Sequence, residues 1–323
     1  MNKKNIFSTN EIEVIELQTQ NNLTVVQIKD TSIHPLGLIS IHEAFKNNEV
    51  EITEINNDGQ VNKVILKNLS SKNILILDGD ILEGAKQNRV INTSILVGAK
   101  QTVEIPVSCV ERGRWNYSSD KFTQSDTIAS KNIRFQKAED IFKHRKHNEE
   151  SVFMACQSRV WEKVNEDLMC FNLESSTESH SELFDKKRDE FDSVTNNIKL
   201  NTEANGLAYF INGKLYGMEL FNSKEIYKDY FEKILSSIAM DTRMNEKQGI
   251  NKDQVAIENV LEKINNSIVL DKNEKDSIEI SKGVCLGDEA RLVHGNEQSQ
   301  TAYYNLQYND QTIHQSILIK KST

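Results

Sequence analysis

Two neighbouring stretches of the chain, residues 89–97 and 102–110, place their apolar side chains at every second position. A period of two is that of a β-strand with one buried face. Only residues 98–101 separate the two stretches, which is short enough for a hairpin. The pattern therefore predicts two antiparallel strands in one sheet, and this pairing determines which of the flanking residues lie close together.

The hairpin decides which residues meet at its open end. Closing the turn over residues 98–101 pairs Arg89 with Val110. One position further out, Asn88 lies opposite Glu111, so two polar clusters come together, and we call this group the cationic end. We expect it to bind a ligand through eight residues: Lys86, Gln87, Asn88, Arg89, Glu111, Arg112, Arg114 and Trp115.

The charge of the cationic end indicates the kind of ligand. Residues 86–117 carry five Lys or Arg against two acids, a local balance of +3 in a chain of formal net charge -9. Guanidinium groups match phosphate oxygens, and side-chain amides bind hydroxyl groups or base edges. A small anionic nucleotide fits this chemistry. The alternative is a structural network, in which Glu111 pairs with an arginine and Asn88 bonds the backbone.

Trp115 follows the arginines directly and has two interpretations. Its indole offers a flat apolar face beside phosphate-binding groups, which predicts that it stacks on a base. The alternative is that the ring fills the core, because large aromatic side chains are usually mostly buried.

Three carboxylates and one histidine are further candidates. Asp78, Asp80 and Glu83 lie close together in sequence and could bind Mg²⁺, our candidate cofactor, beside a pyrophosphate. The alternative is an ordinary Asp-Gly turn. Asp80, Glu83 and His294 are also the candidate catalytic groups, His294 because imidazole titrates near neutrality.

The composition excludes several classes of function. Of 323 residues, 37% are hydrophobic and two are proline, which is typical of a folded globular protein. The negative net charge disfavours binding to duplex nucleic acid or to an anionic membrane. The N-terminus lacks the apolar core of a signal peptide, no run approaches membrane-spanning length, and the four cysteines form no C-x-x-C pair. We therefore expect a cytoplasmic protein with reduced thiols.

The order of the predicted elements indicates an α+β fold. Residues up to about 118 read as antiparallel strands, residues 135–200 as helices, and the rest as a mixture. We expect one domain over residues 1–323, with the helices as an insertion at about 135–200. The alternative is a β-rich domain over 1–125 followed by a mixed helical domain over 126–323. No strand precedes a G-x-G-x-x-G or P-loop motif, so a nucleotide must be held in another way.

The C-terminal part carries several local signals. Asn212-Gly213 between apolar runs predicts a tight hairpin. Asn222 is the expected cap of the helix that follows. We also expect a short helix over about 254–268 and terminal strands around 302–306 and 312–319.

Three segments, LDGDILEGAKQNR, LVGAKQTVEIPVSCVERGRW and INGKLYGMELF, carry a resemblance to a known family. They resemble a bacterial domain family named for its association with ADP-ribosylglycohydrolases and rhodanese-phosphatase proteins. The resemblance covers most of the chain and is densest from Asp78 to Trp115. It implies an intracellular role near NAD or ADP-ribose metabolism and supplies no established catalytic residue.

Two classes of function follow. In the first, the protein binds or processes an ADP-ribose-like nucleotide at the cationic end. In the second, it is a noncatalytic partner of an ADP-ribose-processing enzyme, and the polar clusters stabilise a fold that presents an interaction surface.

Overall fold

The computed structural model describes residues 12–32, 34–56, 58–147, 153–246, 277–280, 290–297, 301–309 and 311–320. The strands are β1 Ile12–Gln20, β2 Leu23–Asp30, β3 Ile39–Ser40, β4 Val50–Thr53, β5 Lys63–Asn68, β6 Ile74–Ile76, β7 Asp80–Gly84, β8 Arg89–Ile91, β9 Ile95–Val97, β10 Thr102–Cys109, β11 Phe122–Ile128, β12 Gly206–Ile211, β13 Lys214–Phe221, β14 Ser277–Ile280, β15 Ala290–Glu297, β16 Thr301–Tyr308 and β17 Gln311–Ile319. The helices are α1 Ile41–Lys46, α2 Lys131–His147, α3 Gln157–Cys170, α4 His180–Thr195 and α5 Lys224–Glu246. Antiparallel sheets and separate helical runs make the fold α+β, as the sequence predicts.

The largest sheet joins the two ends of the chain. Its eight strands run in the order β1-β2-β12-β13-β17-β16-β15-β14, and every neighbouring pair is antiparallel. The N-terminal strand β2 pairs with β12, and the C-terminal strand β17 pairs with β13. Because the ends share one sheet, we propose a single domain in which α2, α3 and α4 form the insertion.

A second sheet curls on itself. Its six strands run in the order β11-β7-β8-β10-β5-β4, and the edge strands β11 and β4 contact each other. Lys121 and Glu51 bridge the two edges with an Nζ–Oε2 distance of 2.6 Å. A small third sheet consists of three strands in the order β3-β6-β9. We call the six-stranded layer the curled sheet, and the cationic end lies on it.

Helices α2 and α5 lie between the two large sheets. Helix α5 contacts β11 of the curled sheet and β12 and β13 of the eight-stranded sheet, while α2 contacts β15, β16 and β17. One face of α5, which carries Ile226, Tyr230, Ile234 and Ile238, is buried. None of the described helices has the length and apolar character needed to cross a membrane.

The local signals of the C-terminal part were mostly confirmed. Asn212 and Gly213 form the β12–β13 turn with φ of 52° and 74°, the left-handed values that a type I′ turn requires. The terminal strands β16 and β17 contain the predicted segments. The helix expected over about 254–268 lies outside the described residues.

The expected cap of α5 was wrong by one residue. Ser223, directly before the helix, accepts a hydrogen bond on its Oγ from the Ile226 amide at 3.2 Å. The Asn222 side chain instead donates to the His34 carbonyl at 2.9 Å and accepts from the Leu36 amide at 3.2 Å. Asn222 therefore fastens a loop to the helix start, and serine supplies the cap.

The predicted hairpin is correct in the half at its open end and wrong in the half next to its turn. Strands β8 and β10 are antiparallel neighbours, but β9 leaves this pair and joins β6 in the small sheet. Between β8 and β9, the Asn92 amide group donates to the Phe153 carbonyl at 3.0 Å. The Ser94 hydroxyl bonds His314 Nδ1 at 3.1 Å. Partners outside the hairpin hold these two side chains, so the strand bends away there.

Candidate functional site

The cationic end assembles as expected, but its register differs by one residue. Arg89 pairs with Cys109 rather than with Val110. Asn88 accepts on its carbonyl from the Val110 amide at 3.1 Å, and its own amide donates to Glu111 Oε2 at 3.1 Å. Directly paired residues project on the same face of a sheet, so the slip turns Arg89 towards the Cys109 side chain.

Arg89 is completely buried, contrary to a role as an open phosphate ligand. Its guanidinium donates to Gln87 Oε1 at 2.8 Å, to Glu54 Oε1 at 3.3 Å and to the Gln60 carbonyl at 3.5 Å, and it contacts the Cys109 sulfur. Burial raises the pKa of Cys109 to about 11, which keeps it a thiol near neutral pH. Cys109 is therefore a packing residue, and Arg89 belongs to the interior.

Two buried atoms of this cluster have no hydrogen-bond partner among the residues that the structure describes. They are the Arg89 Nε, a donor, and the Glu54 Oε2, an acceptor. Buried polar groups are hydrogen-bonded in the great majority of cases, so such orphan atoms require an explanation. Both side chains are more than nine-tenths buried.

Arg114 is also occupied internally. It forms an ion pair with Glu111 at 2.6 Å and donates to Asn88 Oδ1 at 3.0 Å and to the Ala85 carbonyl at 2.8 Å. This is the structural network that the sequence left open as the alternative, with Glu111 paired to an arginine. Arg114 and Glu111 thus hold the two halves of the cationic end together.

The outer face of the cationic end remains open. Trp115 is 41% exposed, which contradicts the interpretation of a core-filling ring. The Lys86 ammonium lies 5.6 Å from the centre of the Trp115 ring and 5.1 Å from that of Tyr117, and it donates to the Asp58 carbonyl at 2.9 Å. A partly exposed cation between two exposed aromatic rings can contact both a base and a phosphate.

Arg112 is the most exposed of the three arginines. Its side chain meets Glu178 at 3.5 Å, and its guanidinium lies 5.5 Å from the centre of the Trp161 ring. Its carbonyl accepts from Gln87 at 3.5 Å. Of the eight predicted ligand residues, Lys86, Arg112 and Trp115 therefore face outward, whereas Gln87, Asn88, Arg89, Glu111 and Arg114 build the support.

The three candidate carboxylates do not fit a Mg²⁺ site. Asp78 is buried and binds Arg134 Nε at 3.0 Å and Lys137 Nζ at 2.6 Å. Asp80 accepts from the Tyr230 hydroxyl at 2.7 Å, while Glu83 is half-buried further along β7. Across the described parts of the chain, no three His, Cys, Asp or Glu side chains are grouped closely enough to hold a metal ion.

A second polar centre, which the sequence did not indicate, lies in the interior around Arg134 of α2. The Arg134 guanidinium donates through all three nitrogens: Nε to Asp78, Nη1 to Glu219 at 2.7 Å and Nη2 to the Ser316 hydroxyl at 3.1 Å. His314 joins Glu219 Oε2 to Ser94 through its Nε2 at 2.9 Å and its Nδ1 at 3.1 Å. We call this group the interior network.

Charge compensation explains how the interior network survives burial. Burial would raise the pKa of Glu219, but Arg134 and His314 outweigh it and hold this pKa below its ordinary value. Burial lowers the pKa of Lys137 in spite of Asp78 beside it. The network connects α2 to turns of the curled sheet and to strands β13 and β17 of the eight-stranded sheet.

One signal in the sequence points to this centre in retrospect. Most of α2 up to Phe142 is buried, including the charged residues Lys131, Arg134, Lys137, Glu139 and Asp140. Charged side chains are almost never fully buried unless paired, so a charged helix inside the protein marks a polar centre. The sequence shows the charges but not their burial.

A third buried polar group surrounds Ser130 at the start of α2. Its hydroxyl donates to Asp167 Oδ2 at 2.6 Å, and its amide donates to His180 Nε2 at 3.3 Å. Burial raises the pKa of Asp167 to about 7 and lowers that of His180 to about 3. Asp167 has hydrogen bonds from Ser130 and from Asn132 at 3.0 Å but no close cation in the described residues.

The last catalytic candidate, His294, lies in β15. Its backbone pairs with Ile278 on one side and with Tyr304 on the other. The acidic residues Asp288 and Glu289 that accompany it in sequence lie outside the described residues. The proposed acid–base role of His294 therefore stays a prediction.

A family model described as the ARG and Rhodanese-Phosphatase-superfamily-associated Protein domain matches residues 11–318. No curated protein and no solved structure matches the chain. The match includes both the cationic end and the interior network.

Proposed function

Because the chain belongs to the ARG and Rhodanese-Phosphatase-superfamily-associated Protein domain family, we propose that it binds a small anionic nucleotide derived from ADP-ribose or NAD. This proposal reads ARG as ADP-ribosylglycohydrolase and places the protein in the bacterial cytoplasm. The nucleotide lies on the outer face of the cationic end, against Trp115, Lys86 and Arg112.

The exposed Trp115 ring beside the Lys86 ammonium carries the proposal. An indole that is 41% exposed loses favourable burial unless something covers it, and Lys86 supplies a positive charge within 5.6 Å of its centre. Stacking on such a ring is worth roughly 1–3 kcal/mol per base by alanine substitution. Lys86 and Arg112 then contact phosphate as cations, with Arg89 and Arg114 fixing the backbone beneath them.

Thermal unfolding in the presence of candidate nucleotides tests this function. A ligand at a hundredfold its Kd stabilises by about 2.7 kcal/mol, which for a chain of this size is roughly 5–10 °C in Tm. We expect such a shift with at least one of ADP-ribose, NAD, AMP and cyclic ADP-ribose. No shift with any of them at millimolar concentration would contradict the proposal.

Two matched lysine variants localise the binding. Lys86→Gln removes the cation beside Trp115 and should reduce the shift in Tm. Lys224→Gln is the control: it removes an exposed lysine at the start of α5, which pairs with Glu203, and should leave the shift in Tm unchanged. Equal shifts in both variants would place the ligand away from the cationic end.

A second candidate function is that of a noncatalytic partner of an ADP-ribosylglycohydrolase. It is favoured by exposed apolar side chains near Trp115: Tyr117 is 47% exposed and Val61 is 42% exposed, and the Val61 carbonyl accepts from the Cys109 thiol at 3.7 Å. Titration with a purified ADP-ribosylglycohydrolase tests it. Val61→Ser should weaken the complex, and Leu69→Ser, at another exposed apolar residue, should not.

A further inference from the structure

We propose that Glu54 and Arg89 read the ring edge of the ligand, and that this ring carries an N–H donor beside a hydrogen-bond acceptor. The inference rests on the proposed nucleotide site and assigns its specificity. Its basis is the pair of orphan atoms beneath Trp115, the Glu54 Oε2 and the Arg89 Nε.

The two orphan atoms belong to one ion pair. Arg89 Nη2 lies 3.3 Å from Glu54 Oε1, which leaves the second carboxylate oxygen and the Nε without partners in the described chain. A carboxylate oxygen only accepts and a guanidinium Nε–H only donates. A ligand edge that satisfies both must therefore offer one donor and one acceptor.

Gly59 packs closely against Glu54 and Lys86. A Cβ on Gly59 would lie 3.3 Å from Glu54 Oε2 and 3.2 Å from the Lys86 Cδ, and its φ of 72° disfavours any side chain. The stem of Lys86 and the carboxylate of Glu54 thus converge on this glycine. The cation proposed to contact phosphate and the group proposed to read the ring belong to one site.

Trp115 covers this ion pair from the solvent side. The Arg89 Cζ lies 5.3 Å from the centre of the indole, and the indole makes cation–π contacts with Arg89 and Lys86 but no hydrogen bond to any described residue. The Trp115 ring is 41% exposed, and its contact with the partly exposed Lys86 is weak, so a ligand ring can lie against its open side. A ligand ring that lies against the indole can then turn its edge towards Glu54 and Arg89.

Two components of the proposed nucleotide class carry the required edge. The adenine ring places its amino group beside the acceptor N1, and the carboxamide of nicotinamide places its NH₂ beside its carbonyl oxygen. In both, the NH₂ donates to Glu54 Oε2 and the acceptor receives the Arg89 Nε–H. Hypoxanthine reverses the pattern, and nicotinic acid replaces the donor with a carboxylate.

Paired nucleotides that differ only at this edge test the assignment. On the wild-type protein, calorimetric Kd values are measured for AMP against IMP and for nicotinamide mononucleotide against nicotinic acid mononucleotide. We expect a preference of about tenfold or more for the first member of at least one pair, because the wrong member leaves a buried charged group unpaired. The pair that shows the preference identifies which ring is read.

Glu54→Gln tests the residue, since an amide offers both a donor and an acceptor and should reduce the preference to within about threefold. Glu104→Gln is the matched control, because Glu104 is exposed in the Lys63 ion pair on the same curled sheet and should leave the preference unchanged. If Glu54→Gln does not fold, the wild-type comparison decides alone.

The outcomes separate the two proposals. Binding of both members of each pair with equal Kd would overturn the ring-edge assignment and leave nucleotide binding intact. Binding of none of the four mononucleotides would also overturn the ring-edge assignment, and the site itself is overturned when ADP-ribose, NAD and cyclic ADP-ribose fail to bind as well.

Discussion

The interior network and the cationic end are each built around a buried arginine, and they differ in how many of that arginine's nitrogens have hydrogen-bond partners. Arg134 donates through all three nitrogens to two carboxylates and a serine. Arg89 meets one carboxylate, and its Nε has no partner in the described residues. When every nitrogen of the buried arginine has a hydrogen-bond partner, we interpret the network as structural support. When one nitrogen lacks a partner and an exposed aromatic ring lies beside it, we interpret the place as a ligand site.

The largest expected effect follows from breaking the completed network. Arg134→Met leaves both Asp78 and Glu219 buried without their arginine, which should lower the free energy of unfolding by roughly 3–5 kcal/mol. Arg188→Met is the control, because Arg188 pairs with Asp126 and Asp185 at the surface and should cost less than about 1 kcal/mol. Similar losses in urea unfolding for both variants would contradict the role of the interior network.

The buried Asp167 carboxyl, which has no close cation among the described residues, gives a prediction for the dependence of stability on pH. The Asp167 carboxyl releases its proton near pH 4 in the unfolded chain and at about 7 in the folded protein, so the folded state holds more protons between these values. Its contribution to the free energy of unfolding therefore falls as pH rises through this window, by up to roughly 1.4 kcal/mol per pH unit.

Asp167→Asn removes this titration while keeping the shape of the side chain. The stability of the variant relative to wild type should increase from pH 4.5 to pH 6.5 in urea unfolding. A difference that does not change with pH would show that Asp167 is ionised in the fold. His180, whose pKa is lowered by burial, acts in the opposite direction, because its contribution is lost as pH falls below about 6.5.

The ion pair between Arg89 and Glu54 should stabilise the fold only as a pair, so that replacing both side chains costs less than replacing Arg89 alone. Arg89→Met leaves Glu54 as an unpaired buried charge, so it should destabilise the fold by roughly 3 kcal/mol, near the lower end of the range for a broken buried pair. Adding Glu54→Met should restore most of this loss, since buried ion pairs are often replaceable by apolar residues. If the double variant is no more stable than Arg89→Met, the two side chains are not coupled.

The smallest expected change in stability occurs at Trp115. Trp115→Ala should weaken nucleotide binding by roughly 1–3 kcal/mol and lower the free energy of unfolding by less than about 1 kcal/mol, because the ring is 41% exposed and its polar contacts with described residues are cation–π contacts. Loss of a core ring would cost roughly 3–5 kcal/mol instead. A large loss of stability, or unchanged binding, would contradict the stacking role.

The sequence predicted the local structure of the cationic end well and its pairing incompletely. The alternation of residues 89–97 is the same in β8 and in β9, so nothing local distinguishes the half that pairs with β10 from the half that pairs with β6. The partners that bend the chain between them, Phe153 and His314, lie 61 and 220 residues away from Asn92 and Ser94. Periodicity contains no information on such contacts.

The same limit applies to individual side chains. A sequence shows that Arg89 and Trp115 are present, but the one-residue register shift turns the arginine inward, and the tryptophan beyond the end of β10 stays 41% exposed. Arg134 was missed because its partners Asp78 and Glu219 are 56 and 85 positions away in sequence. The residues that meet at the cationic end could be read from the sequence, and their division into inner support and outer surface could not.

The joining of both chain ends in the eight-stranded sheet has a consequence for synthesis. Strand β2 ends at Asp30 and its neighbour β12 begins at Gly206, so at roughly 5–20 residues per second about 9–35 s pass between the appearance of the two. During that time the apolar β1–β2 hairpin has no permanent neighbour, and a lone hairpin is marginally stable in water. The nascent chain therefore depends on protection from aggregation until its second half has been made.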